Sequence, residues 1–505
     1  MNDSPHKMPS PLFALCGAVL LLALLTGGGT HRGFLGDVAA QILSIPLLIG
    51  ALYPVSEANS VYKKQARIAL IACAICVGIV FIQLFPLPFN VWAGREAFLA
   101  SGEGTRSGNL QFAWSTLSLT PQATWAAALS LLVPLSLFSS VMQLGHGQRM
   151  LLCRLILGAG AVSLVLGFFQ IAQGPESPFR FYDYTNVDEA VGFFANRNHF
   201  AAFLNVTLVL SGVWLAQTLE ALMDRRGPGD SSFLWFAVAA AFLVAIAAAM
   251  VMTRSRAGVS LAIPVLTGVV LMIFLHNRSN LIQVQLRHKK RLSRISLAVA
   301  VFAALFAMQF GLGRVLDRFQ ADPTDDLRLP INVTTFTAAF RALPFGTGLG
   351  SFVPVYAAAE KPKDTVTAFV NRAHDDLAEF LLETGILGVF LVAAFLVWFG
   401  RVFLAVWIKP RSDGPAYDPL LACASSLIIL VLLLHSLVDY PLRTTALGAL
   451  FAFFCGILAA PVAPTPRETP VSRERTHRRP RAEIAPITLE KEELPWPQSW
   501  QHRNL

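Results

Sequence analysis

The chain has 505 residues, of which 54% are hydrophobic and 14% charged, with a net charge of +9 and a mean hydropathy of +0.56. Soluble proteins carry roughly 25% charged residues and a single core stops growing near ~250–300 residues, so the composition excludes a soluble globular fold. It also excludes a disordered chain, and six cysteines are too sparse for a secreted disulfide scaffold. We therefore predict an all-α, polytopic membrane protein.

Apolar runs that are long enough to cross a bilayer, which takes about 20 residues, recur along the chain. The first has only Lys7 as a basic flank and lacks a cleavage pattern, so we expect a retained helix rather than a signal peptide. Cys73 and Cys76 have metal-like spacing, but no second ligand pair follows, so no metal site is predicted. The twelve predicted spans lie near 11–27, 37–55, 66–86, 121–143, 149–172, 199–218, 233–252, 257–276, 292–310, 377–407, 419–439 and 443–460.

Basic residues predict the orientation of these spans. One set of alternate short loops is rich in Lys and Arg, for example 63–67 and 287–294, which places both termini in the cytoplasm. The positive net charge follows from this bias and does not indicate a nucleic-acid partner. On the outer side, the connections near 87–120, 173–198 and 311–376 are long enough to indicate a function.

Ionisable residues cost ~2.5–3.5 kcal/mol each at membrane depth, yet this chain gathers them on the predicted outer side. Arginine is disfavoured on that side, so the cluster indicates an anionic ligand, and phosphate or pyrophosphate is favoured because Arg binds it bidentately. Other interpretations stay open: Arg254 and Arg256 fit snorkelling toward lipid phosphates, and His199 fits an interface histidine. Asp439 and Arg443 have the spacing of a local ion pair. The cluster comprises Arg197, His199, Arg254, Arg256, Arg341, Arg372, His374, His435, Asp439 and Arg443.

The segment 373–387 predicts an amphipathic helix that enters the membrane, because its apolar residues recur at helical spacing. His374 stands at the start of this helix, and an imidazole that titrates near neutrality suits general-base catalysis. Asp375, Glu379 and Glu383 share one stripe of the helix. A helix-capping role for His374 and a solvated acidic face remain alternative interpretations.

Five short motifs rich in Gly, Asn, Arg and His lie between residues 192 and 441. They are GFFANRNHFA at 192–201, TRSRAG at 253–258, PFGTGLGSF at 344–352, AHDDL at 373–377 with ETGILG at 383–388, and HSLVDYP at 435–441. In their order, and in the long outer loop before His374, they resemble the O-antigen ligase/polymerase superfamily over roughly residues 40–460. Two positions depart from the family pattern: Asp375 replaces an asparagine, and Arg197 stands between the paired asparagines.

The resemblance implies a GT-C-like membrane glycosyltransferase at the periplasmic face of the bacterial inner membrane. Such enzymes move a glycan from an undecaprenyl-pyrophosphate donor to an acceptor hydroxyl, for example on lipid A-core or another glycan, in lipopolysaccharide or exopolysaccharide biosynthesis. They need no cofactor and no metal. We expect transmembrane helices 1–5 in residues 1–172, the catalytic membrane region with its periplasmic loop in 173–460, and a disordered cytoplasmic tail in 461–505.

The family motifs also imply roles for single residues of this chain. His374 corresponds to the base that activates the acceptor hydroxyl, Arg256 to a pyrophosphate ligand, and Arg197 to a second catalytic cation. Asn196, Asn198 and His199 are further expected substrate contacts, and Arg254 and Arg372 are extra candidates that the motifs do not require.

Three other functions stay open. A repeat-unit polymerase shares the motifs and the reaction and differs in its acceptor. A transporter or flippase commonly has about twelve spans, although its polar residues lie near the midplane rather than at the outer interface. A membrane scaffold leaves the outer arginines unexplained.

Within the transferase hypothesis, we see no carboxylate pair arranged for double displacement, so direct displacement with inversion of the anomeric centre is expected.

Overall fold

About 79% of the residues that the structure describes are helical. In this computed structural model they comprise 10–30, 35–53, 60–88, 114–223, 232–285, 328–360, 369–408 and 418–460. The predicted cytoplasmic tail at 461–505 lies outside the described residues.

The N-terminal part of the chain forms apolar helices and one short strand pair. The elements are α1 (Pro11–Thr26), α2 (Leu35–Leu52), α3 (Ser60–Leu84), β1 (Pro86–Pro88), β2 (Trp114–Thr116), α4 (Pro121–Ser130), α5 (Leu132–Gln143) and α6 (His146–Gln173). The strands β1 and β2 pair antiparallel, with Pro86 opposite Thr116. Helices α4 and α5 follow one another directly and together give one apolar stretch of 23 residues.

The C-terminal part adds longer helices and two short ones. The elements are α7 (Arg197–Met223), α8 (Ser232–Met252), α9 (Arg256–Gln285), α10 (Arg328–Arg341), α11 (Phe352–Ala359), α12 (Asp376–Ile408), α13 (Pro419–His435), a 3-10 turn (Pro441–Arg443) and α14 (Thr445–Ala459). Side-chain caps define two of the starts: Asp418 accepts the N–H of Leu420, and Thr444 accepts that of Leu447.

The predicted all-α polytopic class is confirmed. Within the described residues, eight helical stretches are long and apolar enough to cross a membrane, and the shorter apolar helices α1, α13 and α14 accompany them. Each predicted span coincides with one of these stretches, except 292–310, which lies outside the described residues. The count of twelve spans therefore stays a prediction.

The helix connections gather at two ends of the bundle. At one end, the N–H of Ala446 donates to the carbonyl of Gly27 at 3.0 Å, and the N–H of Ala195 donates to that of Gly28 at 3.0 Å. At the other end, Nε2 of His146 lies 3.8 Å from Oδ2 of Asp418, so that the starts of α6 and α13 meet there. We call the first the motif end; it carries the loops 27–30, 174–196, 253–255, 369–375 and 436–444.

Helix α7 runs through the centre of the bundle. In its apolar stretch of 18 residues, 89% of the residues are buried inside the protein, whereas the corresponding stretches of the other candidate spans are 44% buried or less. Phe200 and Phe203 both pack against Phe194 in the core. Gly160 allows α6 to approach closely, because a Cβ at this position would lie 2.6 Å from Thr207. The burial of α7 fixes its first residues at the motif end.

The glycine-rich motif at 344–352 forms a loop that is bound to α12. Gly346, Gly348 and Gly350 have φ angles of 73°, 105° and 81°, in the region that favours glycine. The N–H of Gly348 donates to the carbonyl of Glu383 at 2.9 Å. These glycines therefore let the loop lie against the helix that follows His374.

Candidate active site

His374 lies at the motif end, two residues before α12, and its imidazole is paired with a carboxylate. Nδ1 of His374 is 3.2 Å from Oδ1 of Asp439, which lies in the loop after α13. The Asp439 side chain is fully buried, whereas 25% of the His374 side chain is exposed. The backbone of His374 is left-handed, with φ 57°, a conformation that is uncommon for residues with a Cβ and clusters at functional sites. The imidazole is thus held on one side and accessible on the other.

The carboxylate of Asp439 is fixed in position and in charge. Burial alone would raise the pKa of Asp439, but the hydrogen bond with His374 and the nearby groups of His199 and Arg328 hold it well below its usual range. Oδ1 of Asp439 also accepts the N–H of Tyr440 at 3.0 Å. In such a His–Asp pair, the carboxylate orients the imidazole and stabilises the imidazolium that forms when the ring takes a proton.

Tyr440 joins two of the predicted site histidines into one cluster. Its ring centroid lies 4.7 Å from that of His199 and 5.0 Å from that of His374, and it meets both rings edge-on. Its side chain also hydrogen-bonds with those of Asn196 and Asn371. Burial raises the pKa of Tyr440 above its usual range, so the hydroxyl stays protonated.

His199 is buried rather than placed at an interface. Its side chain is 0% exposed, and its ring nitrogens make no hydrogen bond within the described part of the chain. This burial corrects the interpretation of His199 as an interface histidine. The ring instead packs against Tyr440, and its predicted role in substrate binding stays a prediction.

Two of the predicted cationic contacts are paired with acidic side chains. Nη1 of Arg197 forms an ion pair with Oε1 of Glu189. Nη1 of Arg372 donates to Oε1 of Glu379 at 2.7 Å, and Arg372 and Glu379 are both buried. The predicted roles of Arg197 and Arg372 stay predictions, and in this conformation their charges are balanced by these carboxylates.

The turn between α8 and α9 carries the other two predicted arginines, both partly exposed. Arg254 has a left-handed backbone, with φ 49°, which makes the turn tight. Oγ of Ser255 accepts the N–H of Gly258 at 3.1 Å and so caps α9. The side chain of Arg256, the first residue of α9, makes no hydrogen bond or ion pair with any residue that the structure describes. Its guanidinium is therefore available to an anion.

The paired asparagines connect this turn to the histidine cluster. Oδ1 of Asn198 accepts a hydrogen bond from Oγ of Ser255 at 2.8 Å. Oδ1 of Asn196 accepts the N–H of Asn198 at 2.8 Å, and the Asn196 side chain also bonds with Tyr440. A continuous set of contacts thus runs from the residue that precedes Arg256 to the residue beside His374.

Arg443 corrects two interpretations of the sequence. It does not form the predicted local pair with Asp439: its Nη1 lies 2.7 Å from Oε2 of Glu383 and 3.4 Å from Oε1 of Glu379. Its Nε lies 3.5 Å from Oδ1 of Asp376. Glu379 and Glu383 are fully buried, so the acidic stripe of α12 is not a solvated face. Burial opposes the charge of Arg443, but these carboxylates raise its pKa above its usual range.

Asp375, and not His374, caps α12. Oδ1 of Asp375 accepts the N–H of Leu377 at 2.9 Å and that of Ala378 at 3.1 Å. Burial raises the pKa of Asp375. The position where this chain departs from the family pattern therefore has a structural role, and the carboxylate that orients His374 comes from Asp439.

A metal site is not evident in the described ranges, where no group of three or more His, Cys, Asp or Glu side chains is arranged to hold a metal ion. Cys73 and Cys76 both lie in α3 as free thiols. The expectation that the reaction needs no metal stays a prediction.

Residues 240–393 match the family model described as O-antigen ligase. This segment belongs to the O-antigen ligase/polymerase-related superfamily. A comparison with curated proteins gives no significant match. The resemblance to this superfamily is thereby confirmed for the segment that holds the motifs at 253–258, 344–352 and 373–388, and the match supports an enzyme of the ligase/polymerase type in a multi-pass membrane protein.

The ligase-family segment contains only part of the site. It begins within α8 and ends within α12, so that it includes Arg256 and His374. Asp439 and Tyr440, which orient His374, lie after it, and Arg197 lies before it.

The sequence did not single out Tyr440 or the pairing of Asp439 with His374. The motif at 435–441 was the available signal for both.

Proposed function

We propose that the chain is an inner-membrane glycosyltransferase of the O-antigen ligase type. It moves a glycan from an undecaprenyl-pyrophosphate donor to an acceptor hydroxyl at the periplasmic face. The observation that carries this proposal is the His374–Asp439 pair at the motif end of a membrane protein that contains a ligase-family segment. The pair supplies a general base, which the acceptor hydroxyl needs in order to become a nucleophile.

In the proposed reaction, Nε2 of His374 takes the proton of the acceptor hydroxyl while its Nδ1 faces Asp439. The acceptor oxygen attacks the anomeric carbon, and the bond from that carbon to the pyrophosphate oxygen breaks. The bonding electrons stay with the leaving undecaprenyl pyrophosphate, and the anomeric centre is inverted. The proton returns to water from the exposed side of the imidazole.

The leaving group gains negative charge, so the site must favour anions. Arg256 supplies a cation whose side chain has no partner among the residues that the structure describes. The helices α7, α9 and α12 all begin at the motif end, and helix N-termini carry partial positive charge. We propose Arg256 as the pyrophosphate ligand and Arg254, in the same turn, as a second cation near the donor. Arg197 and Arg372, whose charges are balanced by carboxylates in this conformation, are proposed as hydrogen-bonding contacts to the donor.

The proposed sidedness rests on the charges of the loops. In the sequence, the short loops rich in Lys and Arg, as in 287–294, alternate with the connections that carry the site motifs, which favours the cytoplasm for the end opposite the motif end. The motif end then faces the periplasm, where a lipid-linked glycan is available.

The experiment that tests this proposal is glycan transfer by the purified chain in proteoliposomes. The vesicles contain undecaprenyl pyrophosphate that carries the cell's own glycan, together with lipid A-core as acceptor. Formation of glycan-bearing lipid A-core supports a ligase, and joining of donor glycans into longer chains on the lipid carrier supports the alternative, a repeat-unit polymerase. Movement of the donor across the bilayer without transfer would establish a transporter instead.

Arg256 offers a sharp test of pyrophosphate binding. We expect Arg256→Ala to lower kcat/KM by about 10- to 100-fold, because a hydrogen bond to a charged group is worth ~1.5–3 kcal/mol. Arg256→Lys should recover part of this loss, since it keeps the charge and loses the bidentate geometry. Arg154→Ala, on the exposed surface of α6, is the matched control. Equal activity of Arg256→Ala and the control would exclude Arg256 as a ligand.

A further inference from the structure

The loop 174–196 between α6 and α7 has a fixed conformation although it contains neither helix nor strand. Nη1 of Arg180 donates to the carbonyl of Asn186 at 2.7 Å and to that of Glu189 at 3.1 Å. The N–H of Asn186 donates to the carbonyl of Ala195 at 3.2 Å. A loop that is ordered in this way loses little conformational entropy when it binds a ligand.

This fixed loop displays two aromatic rings. The Phe181 side chain is 54% exposed and that of Tyr184 is 75% exposed. Phe181 stacks on Phe193, with ring centroids 6.2 Å apart and planes at 20°, which leaves its other face open. Between the two, the hydroxyl of Tyr182 donates to the carbonyl of Thr26 at 3.1 Å and holds the loop to the end of α1. Aromatic rings that are exposed on a rigid surface are typical of recognition sites.

The charges around these rings favour a saccharide over a lipid surface. The exposed charged residues of the loop, Glu176, Asp183 and Asp188, are all acidic. Anionic phospholipid headgroups and pyrophosphate are repelled by such a surface. Carboxylates accept hydrogen bonds from sugar hydroxyls, and the C–H faces of pyranose rings pack on aromatic rings.

The loop is attached directly to the candidate active site. Oδ1 of Asn186 accepts the N–H of Arg197 at 2.9 Å, and Glu189 forms an ion pair with the Arg197 side chain. Asn196 directly precedes Arg197, and its side chain bonds with that of Tyr440. The ring of Tyr440 in turn lies beside that of His374. A glycan that is several sugars long extends away from its reacting anomeric carbon. Its distal sugars can therefore reach this loop while the first sugar lies at His374.

We propose that Phe181 and Tyr184, with the acidic residues beside them, form a saccharide-binding platform for the distal sugars of the donor glycan. The platform lies outside the ligase-family segment at 240–393, and it rests on the proposed function. It makes the enzyme prefer donors with longer glycans, because only these span the distance from the site to the two rings.

The test compares two donors in the proteoliposome assay: undecaprenyl pyrophosphate with one repeat unit, and the same carrier with several. The readout is the ratio of KM for the long donor to KM for the short one. Tyr184→Ala should raise this ratio about two- to tenfold, the range expected when one aromatic contact is lost. Tyr184→Phe keeps the ring and should leave the ratio near that of the wild type. Phe181→Ala should act as Tyr184→Ala does.

Tyr53 provides a matched control, because its side chain is 74% exposed and it follows α2 at the end opposite the motif end. Tyr53→Ala should leave the ratio unchanged. A ratio that is unchanged in Tyr184→Ala, or raised equally in Tyr53→Ala, would overturn the platform and leave the proposed function intact. If the wild-type protein transfers glycan from neither donor, the proposed function fails and the platform falls with it.

Discussion

Replacing His374 with asparagine is expected to lower kcat for glycan transfer by about 10²- to 10⁴-fold, the usual contribution of a positioned general base. Asparagine is the informative replacement because residue 374 has a φ of 57°, and asparagine tolerates this left-handed conformation better than most residues. Its amide still reaches toward Asp439, but it cannot accept a proton from the acceptor hydroxyl. The variant therefore removes the base and keeps the backbone.

The control for this variant is His146→Asn. His146 is the first residue of α6 at the opposite end, and it also lies near a carboxylate, with its Nε2 3.8 Å from Asp418. Both variants are assayed in proteoliposomes with saturating donor and acceptor, and we expect His146→Asn to keep wild-type kcat. Wild-type kcat in His374→Asn would show that another group takes the proton.

Most of the fold was predictable from the sequence because apolar length and charge asymmetry are local signals. The spans near 11–27 and 121–143, for example, coincide with α1 and with α4 and α5. The same local reasoning placed His374 at the start of a helix, and the structure starts α12 at Asp376.

The partners of the site residues were not predictable in the same way, because they depend on contacts between distant segments. Spacing alone suggested that Asp439 pairs with Arg443, four residues later. The fold instead brings Asp439 to His374, 65 residues away, and Arg443 to Glu383, 60 residues away. A rule for neighbours on one helix fails here because helix α13 ends at His435, and the chain turns before residue 443.

The Arg443 cluster also explains why acidic residues occur on a membrane-entering helix. Buried carboxylates are costly unless they are paired and hydrogen-bonded. Glu383 is satisfied on both sides, since Oε2 pairs with Arg443 at 2.7 Å and Oε1 accepts the N–H of Gly350 at 2.7 Å. These contacts hold the loop 436–444, which carries Asp439, against the helix that follows His374. The geometry of the His374–Asp439 pair therefore depends on the buried carboxylates of α12. From the sequence of that helix alone, these carboxylates could equally have formed a solvent-exposed face.

Asp439→Asn is expected to lower kcat by about 10²- to 10⁴-fold, the upper figure being the loss on the same substitution in a serine-protease triad. In this structure the substitution removes the negative charge of residue 439 and keeps the hydrogen bonds that its side chain makes. Oδ1 of Asp439 contacts His374 and accepts the N–H of Tyr440, whereas Oδ2 is buried with no hydrogen-bond partner within the described residues. An amide nitrogen in place of Oδ2 keeps the contacts of Oδ1 and removes the negative charge.

Loss of that charge has a second consequence, which separates it from a structural effect. Without the carboxylate, no negative charge faces Nδ1 when the imidazole of His374 takes the proton of the acceptor hydroxyl, and this positive charge exists only as the reaction proceeds. The loss should therefore appear in kcat, while KM for donor and acceptor stays close to that of the wild type. Asp418→Asn is the matched control: Asp418 is also an acceptor of backbone N–H groups, at the start of α13 and far from the motif end. It should leave both kcat and KM unchanged. A rise in KM that accompanies the fall in kcat would mean that Asp439 supports the fold of its loop rather than the charge of His374.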